Sequence, residues 1–295
     1  GNTVNATIPL NSANSGIFTG TSNVVDAPQS AVVAGNGNTV RIIQNSGSII
    51  EPSTSSGVFT GSGGRVEASY STVLSGVDNE IGRGGILTVV SYASAIVTGK
   101  DNSISSQQSG ILAGEGNAVG PSISGVGGVN YQTTASSVVS GLSNVVRASN
   151  SSIVTGNLNK IGFTDDDYVI DDRPSSGILS GTNNIVVAQE SGIVSGSGNL
   201  VGKPEELVVC SGILAGVDNQ VVGDNSGVVA GNSNSVSGQD SAIGAGIGNN
   251  VSGASSFIGA GEDNATLTEN SAIAAGQNNQ IGSGGIHGFI GAGLD

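Results

Sequence analysis

The pattern Ser-x-Ile/Val-x-x-Gly-x-x-Asn-x-Val/Ile returns sixteen times along 295 residues, the last time incompletely, and a repeat this short leaves few folds open. Numbered from the serine, units begin at 15, 30, 56, 71, 94, 109, 136, 151, 176, 191, 211, 226, 241, 256 and 271, with a sixteenth at Gly288. Position 3 is Ile or Val in every unit, and position 6 is always Gly. Position 9 is Asn except at Gly64, and position 11 is Val or Ile except at Thr266. The segments 109–119, SGILAGEGNAV, and 211–221, SGILAGVDNQV, show how little the theme changes.

A spacing of 15 residues is too small for a helix pair or a propeller blade, but it fits one turn of a β-solenoid with two or three short strands. One coil cannot bury its own apolar side. Coils stacked about 4.8 Å apart place Ile on Ile and Asn on Asn, and those ladders become the core. The expected fold is therefore all-β, a β-roll or β-helix of about sixteen coils. Ile111, Gly114, Asn117 and Val119, with their counterparts Ile213, Gly216, Asn219 and Val221, are expected as ladder positions with structural roles. Gly at position 6 suits a corner that needs positive φ or close backbone approach. Asn at position 9 tolerates corner conformations and can stack its amides.

Alternation along the first strand predicts positions 1, 3 and 5 inside and position 4 outside. Position 4 is nonetheless apolar in twelve units, from Phe18 to Val229, then small at Gly244, Gly259, Ala274 and Gly291. Such a stripe calls for a cover, from this chain or from other subunits. Unit starts at 15, 56, 94, 136, 176 and 211 lie 35 to 42 residues apart, so a two-coil period runs above the single coil. The extra residues follow every second coil and carry Ile42, Ile43, Ile49, Ile50, Val169 and Val208 among others, so outer strands or hairpins are expected there. The chain then divides into a segment 1–14, a solenoid with insertions over 15–210, and a regular solenoid over 211–295.

Composition removes several function classes. Eight Lys and Arg against a net charge of −14, with no basic run, offer nucleic acid and anionic lipid nothing to grip. No apolar run approaches the roughly 20 residues of a membrane span. Cys210 is the only cysteine, which excludes an intrachain disulfide and a Cys-based zinc site; it reads as a small buried thiol. His287 is the single histidine, a residue of a Gly-rich turn, so no Ser-His-Asp set or imidazole cluster can form. The acids Asp165, Asp166, Asp167, Asp171 and Asp172 read as a solvated tip, with calcium as a weak alternative and catalysis weaker still. Asp78, Asp101, Asp218 and Asp263 fall at corners of scattered units. Tyr92, Tyr131 and Tyr168 lie in or beside the insertions, where packing between insertions is favoured over sugar or partner contact. No catalytic or cofactor-binding residue is expected.

The last unit breaks off in AGLD and the chain opens with GNTV, and the two pieces together restore a unit with one additional residue. Open solenoid ends are unpaired strand edges. Gly1, Asn2, Thr3, Val4, Ala6, Ile8 and Leu10 are thus expected to meet Phe289, Ile290 and Leu294 of a neighbouring copy, and a head-to-tail contact that does not close gives a filament. A first residue other than Met reads as a processed form or a fragment, and processing after secretion fits.

The repeat Ser-x-Ile-x-x-Gly-x-x-Asn-x-Val over residues 15–293 resembles the head repeats of trimeric autotransporter adhesins and the similar repeats of phage and giant-virus fibre proteins. That resemblance implies a left-handed β-roll on a cell or virion surface, often trimeric, binding host matrix, receptor or glycan. The expected function is a secreted, non-enzymatic structural protein that assembles head to tail into an extracellular filament. The alternative is a trimeric adhesin or tail-fibre module.

Overall fold

In the computed structural model each of the fifteen complete coils contributes two short parallel strands, one at positions 2–3 and one at positions 10–11, while Thr3–Val4 adds a second-type strand before the first coil and Phe289–Ile290 a first-type strand in the last. The structure describes residues 1–4, 14–41, 43–45, 48–51, 55–82, 93–120, 134–162, 175–203, 206–282 and 287–294. Among the described residues there is no helix. The fold is an all-β solenoid of sixteen coils, eight in the unit Gly1–Val154 and eight in the unit Thr155–Asp295. Each unit supplies eight first strands and eight second strands to two parallel sheets.

The register is uniform. Gly110 and Ile111 pair with Ser137 and Val138 of the next coil, and Ala118 and Val119 pair with Val145 and Val146. Equal positions therefore stack on equal positions, which is why the sequence repeats. Ile111, Val119, Ile213 and Val221 are at most 1% exposed. Two aliphatic columns, at positions 3 and 11, fill each coil.

The strands are two residues long, and this limits what alternation can dictate. Position 5 was expected inside with positions 1 and 3, yet Ala113 and Ala215 are half-buried and Thr155 is exposed. The chain has already left the strand at position 4, so the period-2 rule has no run over which to act. The inward small residues are instead found at position 13, where Ala27, Ala68, Ala148 and Ala188 are buried.

Each coil turns its corners with left-handed residues at positions the repeat pattern leaves variable. The residue immediately before position 1 has φ of 51 to 74° in all sixteen coils, from Asn14 to His287, and includes Tyr70, Ala93, Glu190 and Cys210. Position 8 is left-handed as well, from Ser22 and Asp101 to Leu158 and Asn278. Asn at position 9 sits one residue beyond this corner, facing inward, where its amide stacks on the next as expected. Position 6 is the other tight point. A Cβ on Gly114 would lie 2.1 Å from the carbonyl oxygen of Gly141 in the next coil, so only glycine fits at φ +111°.

Within the first insertion, Ile43–Asn45 and Ser48–Glu51 form an antiparallel hairpin. In the last one, Lys203 bridges Glu206 antiparallel, and their side chains pair at 2.5 Å. Most of the remaining insertion residues, with Tyr92, Tyr131, Tyr168 and the acids Asp165, Asp166, Asp167, Asp171 and Asp172, lie outside the described residues.

Candidate functional site

Two polar ladders run beside the aliphatic columns, and the edges where they stop are the chemically active parts of this fold. In the first ladder, Asn117 donates from its backbone N–H and from Nδ2 to Asn102 Oδ1, at 3.1 and 3.0 Å. Its Nδ2 also donates to the Gly141 carbonyl at 2.9 Å. Asn219 repeats this on Asn199 Oδ1, at 3.1 and 3.1 Å, and on the Gly231 carbonyl at 2.9 Å. Both side chains are buried, and each amide is satisfied by its neighbours, as burial requires. The position-6 glycine and the position-9 asparagine thus form one device, because the glycine carbonyl of each coil receives the asparagine of the coil before.

The second ladder is built on Ser at position 1. Ser226 donates its Oγ to the Gly238 carbonyl at 2.8 Å, and its backbone N–H donates to Ser211 Oγ at 3.2 Å. The serine reads in sequence as a small inward residue; the signal that it also carries hydrogen bonds is its recurrence in fifteen units, where Ala would have served for size alone.

Both ladders have direction. In every complete step the later asparagine is the donor and the earlier Oδ1 the acceptor. Asn2 stands on the first rung: its Nδ2 donates to the Gly20 carbonyl at 2.8 Å, and its Oδ1 accepts from Asn23 N and Nδ2 at 3.1 and 3.2 Å. Thr3 and Val4 pair with Val24 and Val25, so Gly1 to Val4 occupy positions 8 to 11 of a coil. Ala6, Ile8 and Leu10 lie outside the described residues. At the other extreme Phe289–Ile290 pairs with Ala272–Ile273, and Asn279 Nδ2 donates to the Gly293 carbonyl at 3.1 Å. Among the described residues, Thr3–Val4 and Gly16–Ile17 are edge strands of one unit, and Gln280–Ile281 and Phe289–Ile290 are edge strands of the other. Val4, Phe289 and Leu294 are exposed on these edges.

The outer face of the first strands is a second surface. Leu112, Leu179 and Leu214, all at position 4, are 50%, 50% and 52% exposed. Where position 4 is Gly259 or Gly291, the ring of Phe257 or Phe289 from position 2 of the same coil lies against it, within 3.5 and 3.7 Å of where a Cβ would stand. The apolar character that the sequence shows ending after Val229 therefore persists in those two coils by another route.

Cys210 was read as buried and is exposed instead. It occupies the left-handed position before Ser211, at φ 55°, which directs the side chain outward. Its thiol donates to Glu190 Oε2 at 3.5 Å, and that carboxylate, with lesser burial, holds the thiol's pKa above its ordinary value. Lys100, at position 7, bridges Glu115 at 3.0 Å and Asp101 at 3.2 Å, which raises its pKa; the group is exposed and the pairs are screened. Asp78, Asp101, Asp218 and Asp263 sit at position 8 corners, one per coil and exposed. Among the described residues no three His, Cys, Asp or Glu side chains gather as a metal site would need, and no helix is long and apolar enough to cross a membrane. Neither the protein-family models nor the curated proteins give a match to this chain.

Proposed function

We propose that this chain is a non-enzymatic structural protein whose copies add end to end, so that the coil stack of one continues in the next as an extracellular filament or surface fibre. The observation that carries the reading is the directional asparagine ladder with Asn2 on its first rung. Asn2 N and Nδ2 of a second copy are the donors that Asn279 Oδ1 would take in the repeating pattern. The backbone follows the same rule. Position 10 donates to the position-9 carbonyl of the next coil, as Glu80 does to Asn102 at 2.8 Å, so Gln280 N–H is matched to the Asn2 carbonyl of the added copy. Position 2 donates to the position-1 carbonyl, as Thr72 does to Ser94 at 3.1 Å, so Phe289 N–H is matched to Ser15.

The two edges are also stepped in opposite senses. One presents a second half-coil, Asn2–Val4, and the other a first half-coil, Gly288–Leu294. Stacked head to tail, Thr3–Val4 would pair with Gln280–Ile281 while Gly16–Ile17 pairs with Phe289–Ile290. Head-to-head contact would set the ladder donors, Asn2 N and Nδ2, against the same donors of the other copy. The alternative reading, an adhesin or tail-fibre module similar to autotransporter heads that holds a receptor or glycan, needs short rods and a partner-binding surface.

Negative-stain microscopy of the full chain is the test. Long threads are expected, and both removal of residues 1–4 and Phe289→Pro, which takes away an outward N–H, should leave separate particles. Separate particles from the unaltered chain at high micromolar concentration would overturn the proposal.

A further inference from the structure

The face that carries position 4 is free of charge to a degree the composition does not require. No Asp, Glu, Lys or Arg occupies positions 1 to 6 in any of the sixteen coils, although the chain holds 22 acids and 8 basic residues. The charges stand elsewhere, chiefly at positions 7, 8, 10 and 12 and around the corner before position 1, as at Glu115, Asp218, Lys160, Glu67 and Glu190. Position 2, beside the stripe, is Gly, Ala, Ser or Thr in all but the two coils that carry Phe257 and Phe289. In fourteen of the sixteen coils the face thus carries one projecting apolar side chain over a floor of small residues, with Gly244 and Ala274 leaving the other two flat, and in each unit Leu112 or Leu214 stands about half exposed on it.

We infer that this face is a lateral interface that receives the same face of a second copy of this chain. Three observations select that occupant. Over the first twelve coils the projections recur once per coil, at the strand spacing of the sheet, and only a surface with the same rise keeps knob beside gap over successive coils; another copy has that rise by construction. A chain of net charge −14 repels its own copies except where charge is absent, and this is the face where it is absent. Phe257 and Phe289 lay their rings over Gly259 and Gly291, which keeps the face apolar where position 4 has lost its own side chain. The inference does not rest on end-to-end growth, because it concerns a different surface.

The test uses the full chain carrying Gln280→Pro, which removes the outward N–H matched to Asn2 and leaves the position-4 face intact, and reads molar mass by sedimentation. Two or more copies of 28.6 kDa are expected. Leu112→Glu, Leu179→Glu and Leu214→Glu, singly, should weaken association at least tenfold, and combined should yield single copies with unchanged circular dichroism. The single variants serve as the readout where the triple variant loses its β signal. A single-copy mass for the Gln280→Pro chain would overturn the inference, as would an association constant unmoved by each single substitution. A stripe covered by the chain's own insertions, or kept for a different protein, gives the single-copy result. Failure here leaves the threads of the full chain untouched, and absence of threads leaves the lateral mass to be read.

Discussion

The directly closing coils that begin at 211, 226 and 241 carry glycine at position 13, whereas the coils at 71, 109, 151 and 191 that lead into insertions carry it at position 12. Between residues 211 and 267 the corner closes in fifteen residues, with Val222, Ser237, Ser252 and Leu267 at position 12 and Gly223, Gly238 and Gly253 at position 13. There the backbones touch: a Cβ on Gly238 would stand 2.1 Å from the Gly253 carbonyl oxygen. Earlier in the chain the order is reversed. Gly82, Gly120, Gly162 and Gly202 at position 12 take φ of 81 to 126° and turn the chain away, directly above a coil whose own position 13 is Ala68, Ser106, Ala148 or Ala188. A Cβ on Gly202 would stand 2.7 Å from the Ala188 backbone nitrogen, so the exit is as tight as the closure. In these coils glycine stands where the backbone passes close to a neighbouring coil, the following one for Gly238 and the preceding one for Gly202, while the corners at Ala27, Ala68, Ser106, Ala148 and Ala188 close in fifteen residues without it.

The largest effect should come from exchanging the two kinds of corner. Gly238→Ala is expected to lose about 3 kcal/mol or more, because backbone must move to admit the methyl group. Ala188→Gly, at the same position in an inserted pair, should lose only about 1–2 kcal/mol, for a buried methyl group and added chain freedom. Urea midpoints of the two variants decide; equal losses would break the distinction. Each region also holds one departure from the repeat, and repairing it sharpens the comparison. Gly64 interrupts the asparagine ladder, since its backbone N–H alone reaches Asn38 Oδ1 at 2.9 Å. Gly64→Asn should stabilise by about 1 kcal/mol in the same assay. Thr266 lies in the closed region, fully buried between Val251 and Ile281, and its Oγ1 has no hydrogen-bond partner. Thr266→Val should therefore also stabilise, by about 1 kcal/mol, and a loss would show that the hydroxyl is satisfied.

The smallest effect concerns the last inserted corner, where Cys210 meets Glu190. The thiol's pKa is raised in the folded chain, chiefly by its hydrogen bond to Glu190, so alkylation should begin at higher pH than for a free thiol. Glu190→Gln should bring that profile back down. An unchanged profile would place the carboxylate away from the sulfur in solution.

Much of the core was legible because the repeat names it. Stacking at a fixed period makes every residue the neighbour of its equivalents, so invariance at positions 3, 6, 9 and 11 reads directly as burial, corner and ladder. Less was legible where the sequence varies. The left-handed residues at position 8 and before position 1 range over Asp, Asn, Ser, Gly, Tyr, Ala and Leu, so no residue type marks them. The Ser ladder was half visible, since its recurrence was plain but its acceptors are carbonyls, which every residue owns. Of the candidate intersubunit residues, Asn2, Thr3 and Val4 stand on one edge and Phe289, Ile290 and Leu294 on another.

By itself, then, the sequence determined the period, the coil count and the identity of the stacked columns, because a coil too small to bury anything alone can be stable only through copies of itself. It also placed position 4 outward, as Leu112 and Leu214 are, but only the tertiary structure decided the rest of the outer face. Strands of two residues carry no alternation to extrapolate, so the exposure of position 5, the outward turn of Cys210 and the rings of Phe257 and Phe289 over glycine follow from how each corner folds against the next coil.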